Sequence, residues 1–185
     1  MAEIKVGVVV GSIRRDSFNK KLAGALVKLA PPHLKFSTLR IDDFPLYNQD
    51  DDAAPAPSVQ RLKQEIAAAD ALVFVTPEYN RSIPGVLKNA LDHASRPYGQ
   101  NAWAGKPAGV LGVSVGAIGT AVAQQHLRTI LAYLDVPTLG QPEAYIQMKD
   151  DLFDASGQIG AGSRKFLQQW MERYVGWIEQ LLKKQ

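Results

Sequence analysis

Hydrophobic residues along this chain alternate between short continuous runs and stretches with helical spacing. Ile4–Val10 is an apolar run that ends at Gly11-Ser12, and apolar residues then recur every three or four positions until Pro31-Pro32. The runs predict strands over 4–10, about 34–41, 71–75, 108–115 and within 136–146. The periodic stretches predict helices that begin near residues 18, 59, 84, 120 and 163, the last of them ending near Lys184. Five βα units without a repeat or linker predict one doubly wound sheet in a single domain over 1–185.

The central segments of the chain support a parallel sheet that is covered on both faces. Ala71–Val75 is apolar at every position, which is typical of a strand between two layers of helices. Pro107–Gln125 contains no charged residue and approaches the length of a membrane span. Its four internal glycines favour a strand, a glycine-rich turn and a helix start instead.

Composition narrows the classes of function. The chain has no cysteine, which excludes disulfides, thiolate catalysis and cysteine-bound metal centres, so any redox activity needs a bound cofactor. The net charge is +3, and its basic residues are scattered rather than clustered. We therefore expect no nucleic-acid partner, no membrane association and a cytoplasmic location.

Ligands of doubly wound sheets bind beyond the carboxyl ends of the strands. Three loops occupy that position here: 11–19, 76–82 and 114–119. The first, Gly-Ser-Ile-Arg-Arg-Asp-Ser-Phe-Asn, opens a helix, so its N–H groups and the helix dipole favour an anion. The side chains of Ser12, Arg14, Ser17 and Asn19 add donors suited to a terminal phosphate. Taken alone, this loop is equally compatible with a well-capped turn whose polar residues face solvent.

The second and third loops suit a planar ligand. Tyr79 offers a flat face at the edge of the sheet, and the backbone of 78–80 could bond the polar rim of a ring. The small residues of Ser114–Gly119 allow a ring to approach the backbone, and free N–H groups at the helix start would stabilise negative charge on it. Each loop alone is also explained as an ordinary turn, and it is the combination of the three that indicates a phosphorylated ring.

These motifs resemble those of the NADPH-dependent FMN reductase family, and within it the quinone and chromate reductase branch. The resemblance rests on Gly-Ser-x-Arg-x-x-Ser with Asn19, and on Thr-Pro-Glu-Tyr-Asn-x-Ser-x-Pro-Gly followed by Leu-Lys-Asn-Ala-Leu-Asp at 87–92. It extends nearly from end to end, including Phe-Pro-Leu-Tyr at 44–47 and His-Leu-Arg at 126–128. It implies a flavodoxin-like fold with strand order 2-1-3-4-5 and helices on both faces.

The resemblance also implies an enzyme that transfers hydride from NADPH or NADH to bound FMN, and then to quinones, free flavin, azo dyes or chromate-type oxyanions. The family is usually dimeric or tetrameric, with the flavin at a subunit boundary. The cofactor-binding residues would be Gly11, Ser12, Arg14, Ser17, Phe18 and Asn19 at the phosphate, and Pro77, Glu78, Tyr79, Asn80, Ser114 and Gly116 at the ring. We predict no acid–base residue, since the flavin carries the chemistry. Arg15 and Arg81 are candidates to bind a 2′-phosphate, although the preference for NADPH over NADH stays open.

Other functions are less compatible with the residues. A response regulator needs acidic residues at the end of the first strand and an aspartate at the end of the third, but this chain has Val9-Val-Gly-Ser12 and Val75-Thr-Pro77 there, which excludes that function. An electron-carrier flavodoxin normally has an acidic surface, and the net charge of +3 argues against that function here. A flavin-dependent redox sensor would use the same site and remains an alternative.

Several further residues are given structural or interface roles. The three histidines, His33, His93 and His126, share no metal-ligand spacing, and Asp50–Asp52 is interpreted as a solvated run. Phe44, Leu46, Tyr47 and Trp103 are expected to be exposed and available to a partner subunit. Arg128 and Glu143 are expected to make polar contacts in the larger assembly.

Overall fold

The computed structural model describes residues 2–183, so Met1 and the predicted helix end at Lys184 lie outside the described residues. Five parallel strands form one sheet in the order β2-β1-β3-β4-β5. The strands are β1 (Ile4–Val10), β2 (Leu34–Leu39), β3 (Ala71–Val75), β4 (Ala108–Ser114) and β5 (Tyr145–Gln147). The α-helices are α1 (Phe18–Leu26), α2 (Pro57–Ala68), α3 (Gly85–Ala94), α4 (Ala121–Tyr133) and α5 (Ala161–Leu182). The flavodoxin-like order and the covered sheet are both confirmed.

Alternate residues of the inner strands face two separate cores. Val8 and Val73 pack with α1 and α5, whereas Val9 and Phe74 pack with α2, α3 and α4. This division explains why β3 is apolar throughout, since each of its faces is covered by helices. The charge-free segment supplies β4 and the start of α4, and no helix within residues 2–183 is long and apolar enough to cross a membrane.

Two glycines of β4 allow neighbouring elements to approach the sheet closely. A Cβ at Gly109 would lie 2.8 Å from the rings of both Trp170 and Tyr174 on α5. A Cβ at Gly112 would overlap the backbone oxygen of Thr76. Glycine at these two positions therefore allows α5 to pack closely on the sheet and allows Thr76 to lie directly against β4.

The predicted fifth strand is much shorter than the region from 136 to 146 suggested. Only Tyr145–Gln147 pairs with β4 as a strand, and Thr138 adds one isolated bridge to Ala108. Pro137 and Pro142 lie in the intervening segment, where each lacks the N–H that a strand ladder needs. Most of that region is consequently a loop.

The prediction that Trp103 is exposed and available to a partner subunit is wrong. Trp103 is 0% exposed, and its indole N–H donates to the Leu91 carbonyl at 3.2 Å. Phe44 is also partly covered, with the Arg61 guanidinium 5.8 Å from its ring centre. Leu46, by contrast, is 85% exposed. Of the four predicted interface residues, Leu46 is thus the one that presents a large apolar side chain to solvent.

Asp50–Asp52 is likewise not simply a solvated run. The Asp52 carboxylate accepts hydrogen bonds from Arg96 Nε at 3.0 Å and Nη2 at 2.7 Å, and it is largely buried. The same loop is fixed to α3 by Asn89, whose amide donates to Pro45 O and accepts from Tyr47 N. This segment after β2 therefore packs firmly on the domain.

Candidate active site at the carboxyl edge of the sheet

The three predicted loops begin side by side at one edge of the sheet. Gly11 N–H donates to Val75 O at 2.9 Å, and Thr76 N–H donates to Leu111 O at 3.0 Å, so the loops leave β1, β3 and β4 from adjacent positions. Gly11 is needed here because a Cβ would lie 2.8 Å from Thr76 Oγ1. The fold therefore brings together the three loops that the sequence predicts to form the binding site.

The first loop combines buried hydroxyls with an exposed cation. Ser12 and Ser17 are buried, and Ser17 is the N-cap of α1, with its Oγ accepting from Lys20 N at 3.3 Å. Arg14 is exposed and lies over the Phe18 ring, 5.3 Å from its centre. Within residues 2–183 the Arg14 guanidinium has no hydrogen-bond or ion-pair partner, so its donors remain available to an anion at the start of α1.

Asn19 is not the exposed donor that the sequence suggested. Its side chain is buried, Nδ2 donates to Val113 O at 2.9 Å, and Oδ1 accepts from Val113 N at 3.0 Å. The last residue pair of β3 and β4 is Val75 with Leu111, so Val113 lies beyond the end of β3. The Asn19 amide thus replaces the missing strand neighbour and ties the first loop to the third.

The second loop is a tight hairpin. Tyr79 and Ser82 exchange two backbone hydrogen bonds of 3.0 Å each, and the residues between them, Asn80 and Arg81, have φ values of 50° and 63°. Positive φ at both central positions is the requirement of a type I′ turn, and it is unusual for an arginine. Tyr79 is 49% exposed in this hairpin, whereas Pro77, which precedes it, is buried.

Glu78 connects this hairpin to α4. Its Oε2 accepts from the N–H groups of Val122 and Ala123, each at 3.0 Å, and its Oε1 accepts from Arg81 Nη1 at 3.0 Å. The side chain is only 6% exposed. The expectation that the first N–H groups of α4 are free is therefore wrong at these two positions, because a carboxylate from another loop already occupies them.

The third loop is open and lined by small or apolar residues. Ser114 Oγ accepts from Gly116 N at 3.4 Å, and a Cβ at Gly116 would meet only that hydroxyl, at 3.9 Å. Val115 is 70% exposed and Ile118 46%. The backbone at this loop is thus accessible to a flat ligand.

Exposed apolar side chains come from all three loops. They are Ile13, Tyr79, Val115 and Ile118, each at least 46% exposed. Clustered exposed apolar groups usually mark a binding surface. Together with the donors around Ser12 and Arg14, this edge fits a ligand that has a phosphate at one end and an apolar planar ring at the other, as FMN has.

The histidines have partners outside this edge or beside it. His33 Nε2 lies 2.9 Å from Glu179 Oε1, His93 Nε2 lies 2.9 Å from Pro45 O, and His126 Nδ1 lies 3.0 Å from Ser82 Oγ. The contact of His126 with the hairpin was not predicted, since the two residues are far apart in sequence. Among residues 2–183 no group of three or more candidate ligands could hold a metal ion.

The two predicted assembly residues make contacts within the chain. Arg128 Nη1 donates to Leu139 O at 2.7 Å, and the Glu143 carboxylate accepts from Gln125 Nε2 at 3.0 Å. Their part in an assembly stays a prediction.

Comparison with known proteins places these features in a family. The model of the NADPH-dependent FMN reductase family matches residues 4–151. A 2-hydroxy-1,4-benzoquinone reductase from a Burkholderia species is 54% identical over 95% of this chain and 96% of its own length. A quinone reductase from Pseudomonas putida is 49% identical, with 94% of each chain covered. The structure of FerB, a flavoenzyme NAD(P)H:(acceptor) oxidoreductase from Paracoccus denitrificans, is 48% identical with a TM-score of 0.91, covering 96% of this chain and 98% of that one.

Proposed function

The chain belongs to the NADPH-dependent FMN reductase family, and from this premise we propose that it uses FMN and NAD(P)H to reduce quinones. It is an oxidoreductase of the flavodoxin-like fold. The observation that carries the proposal is the convergence of three loops at one edge of the sheet. These loops supply both hydrogen-bond donors suited to a phosphate and exposed apolar residues. Relatives matched over nearly their full length are named as quinone reductases, which supports quinones as acceptors.

Each part of the site has a defined task in this proposal. The Ser12 and Ser17 region and the Arg14 guanidinium hold the FMN phosphate through several donors and one cation. Tyr79 and the exposed residues of the third loop line the ring and displace water from it. Bound FMN supplies the chemistry by accepting and releasing a hydride. The protein contributes position and electrostatics, and no side chain is assigned as an acid or base.

We infer that the nicotinamide donor and the acceptor approach the same face of the flavin and therefore occupy the same place in turn. We therefore propose ping-pong kinetics, with broad use of acceptors that extends to free flavin, azo dyes and chromate-type oxyanions. Steady-state NAD(P)H oxidation at several concentrations of 2-hydroxy-1,4-benzoquinone gives parallel double-reciprocal lines in this case. Intersecting lines would indicate that both substrates bind together. Flavin bound without quinone-dependent turnover would favour the redox sensor instead.

We propose an assembly of at least two subunits, with the FMN site near their boundary and Arg128 and Glu143 among the polar contacts of a tetramer. Leu46, Tyr98 and Tyr133 are each at least 85% exposed, and large exposed apolar side chains commonly mark interfaces. Light scattering of the FMN-loaded protein is expected to give at least twice the chain mass of 20.2 kDa. A monomeric mass with full quinone reduction would show that one chain completes the site.

A further inference from the structure

Glu78 occupies an unusual position between two loops of the site. Both of its carboxylate oxygens are used, one by the N–H groups of Val122 and Ala123 and the other by Arg81, at 3.0 Å in each case. The carboxylate is 6% exposed, whereas the Arg81 side chain is 69% exposed. The negative charge is therefore buried at the edge, and its cationic partner lies in solvent.

Helix α4 depends on this carboxylate for its N-terminal cap. Its own N-cap residue, Thr120, makes no side-chain cap, and its first turn contains no acidic residue. A helix N-terminus carries roughly half a positive charge, which attracts a nearby anion. Glu78 supplies that anion from a loop 44 residues earlier in the chain and offsets the positive end of the helix.

This arrangement bears on the electrostatics of the ring site. Glu78 immediately precedes Tyr79, and α4 immediately follows the third loop, so the carboxylate lies between the two segments proposed to line the ring. A reduced flavin carries more negative charge than an oxidised one, and charges near its ring tune its electronics. An uncapped α4 would favour the reduced form, and a buried carboxylate at the same place opposes that preference.

We propose that Glu78 is a positioning residue that joins the Tyr79 hairpin to α4 and lowers the reduction potential of bound FMN, with Arg81 acting in the opposite direction. The inference rests on the proposed function in one respect, that FMN binds at this edge. It assigns to Glu78 an electrostatic effect beyond contact with the ring. The lower potential makes bound reduced FMN a stronger donor to the acceptor.

Two charge-removing variants test the proposal, and the first of them, Glu78→Gln, also keeps the shape of the side chain. Glu78→Gln keeps an oxygen that can accept from α4 but removes the negative charge, so the reduction potential of bound FMN rises. We expect the affinity for reduced over oxidised FMN to increase on the order of tenfold, which is about 30 mV for a two-electron couple. Arg81→Gln leaves Glu78 in place and lowers the potential by a smaller amount, because an exposed charge is screened.

Glu179→Gln is the matched control. It makes the same substitution in a residue paired with His33 at 2.9 Å, beside the start of β2 at the other edge of the sheet, and leaves the potential unchanged. Shifts of Glu78→Gln and Arg81→Gln in the same direction, or no shift while FMN stays bound, would overturn the proposal and leave Glu78 as a helix cap alone. If Glu78→Gln does not retain FMN, the Arg81→Gln potential decides, and an unchanged or raised value overturns the inference. Failure of the unaltered protein to bind FMN would contradict the proposed function instead.

Discussion

The amide of Asn19 offers a direct test of how the phosphate loop is held in place. In Asn19→Ala, Val113 loses both the donor at 2.9 Å and the acceptor at 3.0 Å that satisfy its backbone beyond the end of β3. Asn19 is only 2% exposed, so its side chain is shielded from solvent in the native structure. We expect the substitution to destabilise the protein even when no cofactor is bound.

The magnitude follows from the two backbone groups left without partners. Each unsatisfied buried group costs about 1–3 kcal/mol, so the pair sets a range of about 2–6 kcal/mol. Water entering the space left by the amide would relieve part of this cost. We therefore expect about 2–4 kcal/mol of lost stability, together with weaker FMN binding because the first loop is no longer fixed to β4.

Urea unfolding of the apoprotein measures the loss of stability, and Asn101→Ala is its matched control. Asn101 also makes one donated and one accepted backbone hydrogen bond, but to two different residues, donating to Leu134 O at 2.8 Å and accepting from Trp103 N at 3.0 Å. It precedes β4, at the edge opposite the site. The control is expected to lose stability without a specific loss of FMN affinity. An Asn19→Ala apoprotein with the unfolding midpoint of the unaltered protein would refute this reasoning and would favour a direct contact of Asn19 with the phosphate.

Three further predictions concern the cofactor, acid stability and assembly. In calorimetric titration, Arg14→Ala is expected to weaken FMN binding by about 1.5–3 kcal/mol but to leave riboflavin binding unchanged. Arg15→Ala is the control. Equal losses of affinity for FMN and riboflavin would assign Arg14 to packing. The Arg61 hydrogen bond holds the pKa of Asp43 below its ordinary value. The stabilisation from this bond is fully present above the ordinary pKa of an aspartate and is lost as the pH falls through the lower pKa of the folded state. Asp43→Asn should therefore flatten the decline of unfolding free energy below about pH 4. Leu46→Asp should reduce the mass seen by light scattering, and an unchanged oligomer would place the interface elsewhere.

The sequence predicts the strands and the site loops because both depend on local patterns. β1 and β3 are short apolar runs bounded by turn residues, and their bounds agree with the structure. The loops follow from parallel topology, since the carboxyl ends of such strands must share an edge. The fifth strand is less predictable, because its pairing is limited to Tyr145–Gln147 by prolines in the segment before it.

Residues whose partners are distant in sequence could not be assigned in this way. Trp103 looked like an exposed aromatic residue, but it fills the core beside Phe74, with ring centres 5.9 Å apart. Asn19 bonds a residue 94 positions later, and Glu78 bonds residues 44 and 45 positions later. The one local indication of the Glu78 contact is that α4 lacks an acidic first turn and a capping side chain of its own.

Polar residues at the end of a parallel sheet therefore face two competing demands. Backbone groups need partners both where β4 extends beyond β3 and where α4 begins, and the side chains best able to supply them are the amides and carboxylates that could also bind a ligand. Asn19 and Glu78 meet the first demand, whereas Arg14, which has no hydrogen-bond or ion-pair partner among the described residues, is available for the second. A substitution at Asn19 or Glu78 should alter the stability of the apoprotein together with FMN binding. A substitution at Arg14 should alter FMN binding alone. Measuring unfolding without cofactor beside FMN and riboflavin affinity separates these roles, which the motif itself does not distinguish.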